Sequence, residues 1–155
     1  MSAHTKTTTT TIEASAKEVW RVLDADFIKV SRWGPGVLSS GPNPATPYGV
    51  NGSAYGGRVC QVEGLGRTDE RIVGYDGGSR SLRYTVEAEG FPAFIESLEN
   101  TWTVTPSGSD RSIVETRLDV TIADSLSEQD ARAAVDAVFG GLRAAESLRA
   151  FIERE

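Results

Sequence analysis

The chain has 155 residues, with 16 Lys and Arg against 22 Asp and Glu and a formal charge of −6. It is sized for one domain and lacks the basic face that nucleic-acid phosphates demand. One Cys (Cys60), one His (His4) and one Met (Met1) exclude a disulfide framework, a Cys/His zinc site and a histidine-based catalytic triad away from the N-terminus.

Met1 to Lys6 reads as a flexible tail without the charged-then-apolar profile of a signal peptide. Thr7 to Glu13 is β-branched almost throughout and predicts a strand. Ser15-Ala16-Lys17-Glu18 is a Ser-x-x-Glu capping box, and it opens a helix whose apolar face is Val19, Trp20, Val22 and Leu23. A second short helical piece, Phe27 to Arg32, stops at the turn Trp33-Gly34-Pro35-Gly36. From Val37 to Ile122 the apolar period is two, which predicts strands at 37–40, 53–63, 67–76, 81–89, 97–105 and 111–122. Pro42, Pro44 and Pro47 make 41–51 a loop or an irregular edge. Short turns between successive strands imply an antiparallel meander. After Ile122 the period returns to 3.6. Ser127 caps a helix, with Glu128 and Asp130 in its first turn, where the helix dipole favours negative charge. Ala131, Ala134, Val135, Val138, Leu142, Ala145, Leu148 and Ile152 then recur at three- and four-residue steps. One helix of ~28 residues, ~42 Å long, could run to the terminus.

The order is β-α-α-β₆-α. The expected class is α+β: a curved antiparallel sheet of six to seven strands wrapped around a long C-terminal helix, in a single domain over 1–155. About 47% of residues are apolar when Gly is counted and Tyr is not, which is enough for such a core. No apolar run approaches the ~18 residues of a membrane span, so the expected location is cytoplasmic. The last helix carries small residues along or beside its stripe, among them Ala133, Ala134, Ala137, Gly140, Gly141, Ala144 and Ala145. They serve either close packing, with a kink at Gly140-Gly141, or space for a ligand.

Several segments together carry a family likeness. They are the strand-to-helix run Ile12-Glu13-Ala14-Ser15-Ala16-Lys17-Glu18-Val19-Trp20, the turn Trp33-Gly34-Pro35-Gly36-Val37 and residues Arg67 to Asp76. Ser81-Leu82-Arg83-Tyr84-Thr85-Val86 and Trp102-Thr103-Val104-Thr105-Pro106 complete the set. On these residues the chain resembles the START-related helix-grip superfamily (SRPBCC), and within it the small bacterial polyketide cyclase/dehydrase-like members. The resemblance spans roughly residues 7 to 155. It implies a ligand held between the concave sheet face and the long helix. No cofactor and no metal are expected. Fold does not carry function, since members bind or transform many hydrophobic molecules.

Strand alternation then sorts the candidate ligand-binding residues. Tyr84 and Val86 share an inward face with Leu82; Leu98, Asn100 and Trp102 share another, and Thr116 and Leu118 a third. Arg58, Cys60 and Val62 fall together, as do Glu70 and Ile72, while the last helix offers Val138 and Leu142. Polar groups on apolar faces need partners or a ligand. Arg58 and Glu70, on strands joined by Glu63-Gly64-Leu65-Gly66, therefore form an internal ion pair or serve the pocket. Tyr84 and Trp102 are core or cavity wall, which in this architecture are one surface. Cys60 reads as a small buried hydrophobe. Trp33 either lids the sheet opening or packs beneath it. Two loops, Gly64-Leu65-Gly66 and Ala88 to Phe94, could gate the entrance, and in the second Phe91 and Phe94 are either a mobile lid or a packed hairpin turn.

The functional expectation is a domain that binds a small hydrophobic molecule, polyketide- or lipid-like, as a monomer or homodimer without nucleic acid or membrane span. In its enzyme form it cyclises or dehydrates that molecule, with Glu70 the best candidate for acid/base and Tyr84 or Asn100 holding an enolate oxygen. The alternative is a non-enzymatic carrier, sensor or sequestering protein. A protein-partner module has the least support, for want of an exposed apolar stripe.

Overall fold

The computed structural model describes residues 2–124, 126–139 and 144–154, and for 134 and 136–139 the backbone alone. The elements follow as β1 (Ser2–Ile12), α1 (Ala16–Leu23), a 3₁₀ segment (Phe27–Arg32), β2 (Val37–Pro42), β3 (Gly57–Val62) and β4 (Gly66–Asp76). They continue as β5 (Ser81–Ala88), β6 (Ile95–Pro106), β7 (Ser112–Ile122), α2 (Glu128–Phe139) and α3 (Ala144–Glu153). The seven strands form one curved antiparallel sheet in the order β1-β7-β6-β5-β4-β3-β2, so the two edges are the strands flanking α1 and the 3₁₀ segment. This is the helix-grip arrangement.

Local sequence explains the boundaries. Ser15 caps α1, its hydroxyl accepting from the Glu18 N–H at 3.2 Å. Gly36, at φ +70°, takes the left-handed turn that directs the chain into β2. The N-terminal residues depart from the expected tail. β1 begins at Ser2 because β7 continues to Ile122, and the register Ser2↔Ile122 through Ile12↔Ser112 satisfies backbone groups that β7 would otherwise leave open. The third strand starts later than expected, at Gly57. The Ser53 hydroxyl instead accepts from the Val50 N–H and donates to the Tyr55 carbonyl, both at 2.7 Å, and folds the preceding segment into a turn. Pro42 is tolerated because β2 is an edge strand paired with β3 alone. β4 carries a bulge between Ile72 and Gly74; it leaves Val73 exposed and returns Tyr75 inward, where its ring meets Trp20 and its hydroxyl donates to Asp24 at 2.8 Å.

At the C-terminus α2 and α3 share the expected helical pattern, and Gly140-Gly141 and Leu142 lie outside the described residues. α3 buries Ala145, Leu148 and Ile152 in a core with Ile12, Val19, Leu82, Trp102 and Val114. α2 buries Ala131 and Val135 in a second cluster with Leu98, Val120 and Ile122. The core is therefore divided into two apolar masses on one concave face. Among the described residues no helix is long and apolar enough to cross a membrane.

Leu148 is fully buried where α3 meets the sheet. Leu148→Ala is expected to lower unfolding free energy by about 2–5 kcal/mol, read as a lower urea midpoint at unchanged m-value.

Candidate functional site

A cavity of about 410 Å³ opens between the concave sheet face, α3 and the turn at Trp33 to Val37, and every strand contributes to its wall. The sequence-selected residues Trp33, Arg58, Cys60, Val62, Glu70, Tyr84 and Val86 lie on it, as do Phe91, Leu98, Asn100, Trp102, Thr116 and Leu118. Ile72 does not line it: it is 6% exposed and packs in the larger core cluster behind the wall. Phe94 also lies off the wall and packs against the second cluster, while Phe91 reaches the cavity. Val138 and Leu142 lie outside the residues whose side chains are described. Trp33 is packed inside, 9% exposed and edge-on to Trp102 with ring centres 5.8 Å apart; the Ser147 hydroxyl of α3 donates to its carbonyl. The two candidate gating loops are tied to one another. The Gly90 N–H donates to the Leu65 carbonyl at 2.8 Å, and a Cβ on Gly90 would sit 2.9 Å from the Leu65 Cα.

Polar chemistry concentrates at one end. Arg58 and Glu70 are direct cross-strand partners on β3 and β4, and are 6% and 7% exposed. Glu70 Oε1 accepts from Arg58 Nε at 3.2 Å and from Nη2 at 3.0 Å. The Arg58 Nη1 donates to the Phe27 carbonyl at 2.9 Å, and Nη2 also reaches the Tyr84 hydroxyl at 3.2 Å. Glu70 Oε2 accepts from Cys60 Sγ and Thr68 Oγ1, both at 3.4 Å. The guanidinium lies over the Phe27 ring, 4.1 Å from its centre, and 5.0 Å from that of Tyr84. Tyr84, next in the sheet, also receives the Trp102 indole N–H at 3.0 Å and the Asn100 amide at 3.4 Å. Seven side chains from four adjacent strands, Arg58, Cys60, Thr68, Glu70, Tyr84, Asn100 and Trp102, thus form one network.

The electrostatics follow from this packing. Burial alone would lower the Arg58 pKa, but the charges of Glu70, Tyr84 and Cys60 outweigh it and hold the guanidinium ionised. Burial, reinforced by the Glu70 charge, pushes the Cys60 thiol from 9.0 up to about 12. Burial likewise raises Tyr84, against the lowering pull of Arg58. With both carboxylate oxygens engaged, Glu70 is the counterion of Arg58. The two form an internal ion pair, and both side chains line the cavity. Among the described residues no group of three or more His, Cys, Asp and Glu could hold a metal ion.

Sequence reasoning missed the opposite wall. Lys6, Thr8 and Thr10 line the cavity from β1, where Thr8 and Thr116 are cross-strand partners in hydroxyl contact. The available signal was the absence of any apolar alternation in the threonine run, which marks a strand whose inward row is polar. Val30, Gly34 and Val37 of the Trp33 turn, Thr68, and Ala144, Ala145 and Glu146 of α3 also line it.

Comparison with known families places residues 3–154 on the model for polyketide cyclase / dehydrase and lipid transport proteins. The chain belongs to that family. None of the curated proteins matches this polyketide cyclase/dehydrase-family chain. Solved structures do. The aromatase/cyclase Zhui from Streptomyces sp. R1128 superposes with a TM-score of 0.75 at 18% identity, over 99% of this chain and 95% of that one. A START superfamily protein from Mycobacterium smegmatis gives 0.73 at 16% identity, over 97% and 98%. Norcoclaurine synthase from Thalictrum flavum, in complex with dopamine and hydroxybenzaldehyde, gives 0.70 at 15%, over 99% and 88%. At these identities the likeness establishes the shared START-type fold.

Removing one partner of the buried pair strands the other charge. Arg58→Met is expected to cost about 3–5 kcal/mol in chemical denaturation, and the double variant Arg58→Met/Glu70→Leu less than the single one. The raised Cys60 pKa has its own consequence. Between pH 9 and about 12 the unfolded thiol has lost its proton while the folded one keeps it, so stability falls as pH rises through that window. Cys60→Ala is expected to flatten this alkaline decline in pH-dependent melting curves.

Proposed function

We propose that this polyketide cyclase/dehydrase-family domain binds a small, largely hydrophobic molecule in the cavity between its sheet and α3. The observation that carries the reading is the cavity itself. At about 410 Å³ it has the size of a small-molecule site, with Val62, Val86, Leu98, Leu118 and Phe91 on its walls and the Arg58–Glu70–Tyr84 network at one end. An apolar wall with a few convergent polar groups suits a polyketide- or lipid-like molecule that must be oriented as well as desolvated.

Enzymatic cyclisation or dehydration is a second reading, favoured by the fold shared with the aromatase/cyclase Zhui. In it the cavity holds a flexible substrate folded, so that proximity supplies much of the rate. Glu70 then acts through Arg58, and Tyr84 and Asn100 face the reacting oxygen. The carrier reading requires no chemistry at all. The expected location is the cytoplasm, and the expected state a monomer or homodimer.

Native mass spectrometry of the protein as purified should reveal a retained small molecule. Adding that molecule at one hundred times its Kd should raise stability by about 2.7 kcal/mol, a melting shift of ~5–10 °C for a domain of this size. No retained species, and no shift with any apolar compound, would count against binding. Release of the molecule unchanged after incubation marks a carrier; release with loss of water or a new ring marks the enzyme.

A further inference from the structure

The two edges of the sheet are built differently. β2 is guarded. Its pairing with β3 shifts register between Val37 and Ser39, and the strand ends at Gly41-Pro42. The 3₁₀ segment also lies against it, with the Ser31 N–H donating to the Ser40 hydroxyl at 3.0 Å. β1 has none of these devices. It runs 11 residues in unbroken register with β7, without proline, glycine or bulge. Alternate residues of an edge strand turn their N–H and C=O groups away from the neighbouring strand. Between Thr7 and Thr11 such groups meet no backbone partner among the described residues. In a chain of charge −6 this strand carries no carboxylate, and Lys6 is its one cation. Its outer row, Thr5, Thr7, Thr9 and Thr11, is exposed.

Water satisfies such a row one group at a time, whereas another extended strand satisfies it all at once. Pairing β1 of one copy with β2 of the next is head-to-tail and does not close, and the guarded β2 blocks it. β1 against β1 about a two-fold axis does close, because the same patch serves both sides. We propose that two copies of this chain associate edge to edge through β1, antiparallel, so that their sheets run on as one. In the register centred on Thr8, Thr7 faces the partner's Thr9, Thr5 the partner's Thr11 and Lys6 the partner's Thr10. No like charges meet, and threonines lie opposite threonines, a pairing that stabilises strands. Thr8 and Thr10 also line the cavity, so the contact joins the walls of two cavities, whatever they hold.

A contact one strand wide belongs with the weak complexes, those burying under ~1,200 Å². Sedimentation velocity of the intact chain, from about 1 μM to about 1 mM, should therefore show monomer giving way to dimer. Hydrogen–deuterium exchange then locates the contact: amides of Ser2–Ile12 should exchange more slowly at the dimeric end of that range. Thr7→Glu/Thr11→Glu sets carboxylates along the contact, with Thr7 opposite Arg117 inside its own sheet. It should weaken association about tenfold and leave the melting temperature of the monomer unchanged. Should that variant fail to fold, exchange in the unaltered chain decides the matter. A monomer at every concentration, a dimer whose β1 exchanges as fast as in the monomer, or an undiminished dimer in the folded variant would overturn the assignment. Growth beyond the dimer would overturn it too, since that demands an open contact. None of these results bears on what the cavity binds.

Discussion

The structure around the cavity depends on the ion pair between Arg58 and Glu70. Two charges taken out of water carry a desolvation penalty of several kcal/mol each, which only close geometry and full hydrogen bonding can offset. That demand fixes more than two side chains. It sets β3 against β4 with Arg58 opposite Glu70, and it draws the Phe27 carbonyl, hence the 3₁₀ segment, onto Nη1. It also brings the Tyr84 hydroxyl into line, with the Trp102 and Asn100 donors behind it. Five of the chain's elements therefore take their positions from one guanidinium.

The same constraint accounts for the divided core. A helix stripe and a concave sheet can be filled solidly only where apolar side chains meet across the gap. α3 does so through Leu148 and Ile152, and α2 through Ala131 and Val135. Between these masses the wall presents small residues from α3, Ala144 and Ala145, opposite polar groups already committed to one another. Among the described residues no side chain fills the intervening space. The apolar residues bordering it line a surface and do not complete a core, so the chain's ordinary apolar content stretches further than in a solidly packed domain of the same length.

Much of this was legible in the sequence. Period-two alternation located the five inner strands and assigned Tyr84, Val86, Leu98, Asn100, Trp102, Thr116 and Leu118 to the concave face, because a pleated strand admits only two faces and the apolar set marks the inner one. The Ser15 capping box located α1 for an equally local reason. Ile72 was placed on the correct face but lies behind the wall, since alternation gives direction and not depth. β1 was legible from Thr7 onward but not before. Ser2 to Lys6 have no apolar pattern, and only the reach of β7 extends pairing to them. The Arg58–Glu70 ion pair was one of two readings open from the sequence, but the closing of Glu70's other oxygen on Cys60 and Thr68 was out of reach: spacing shows that two side chains share a face, whereas hydrogen-bond saturation depends on distances of tenths of an ångström.

The threonine strand has a consequence for how such a protein diverges. β1 is bonded to β7 alone, and its inward row, Lys6, Thr8 and Thr10, forms the cavity wall away from Arg58. A substitution at Thr10 changes the shape and polarity of the cavity wall while disturbing a single neighbouring strand. The same substitution on β4 or β5 strikes the buried charges and so the folding of the whole chain. The molecule thus separates a buried anchor from a wall that can be re-dressed one residue at a time, so the shape of the cavity can change without the scaffold having to be remade.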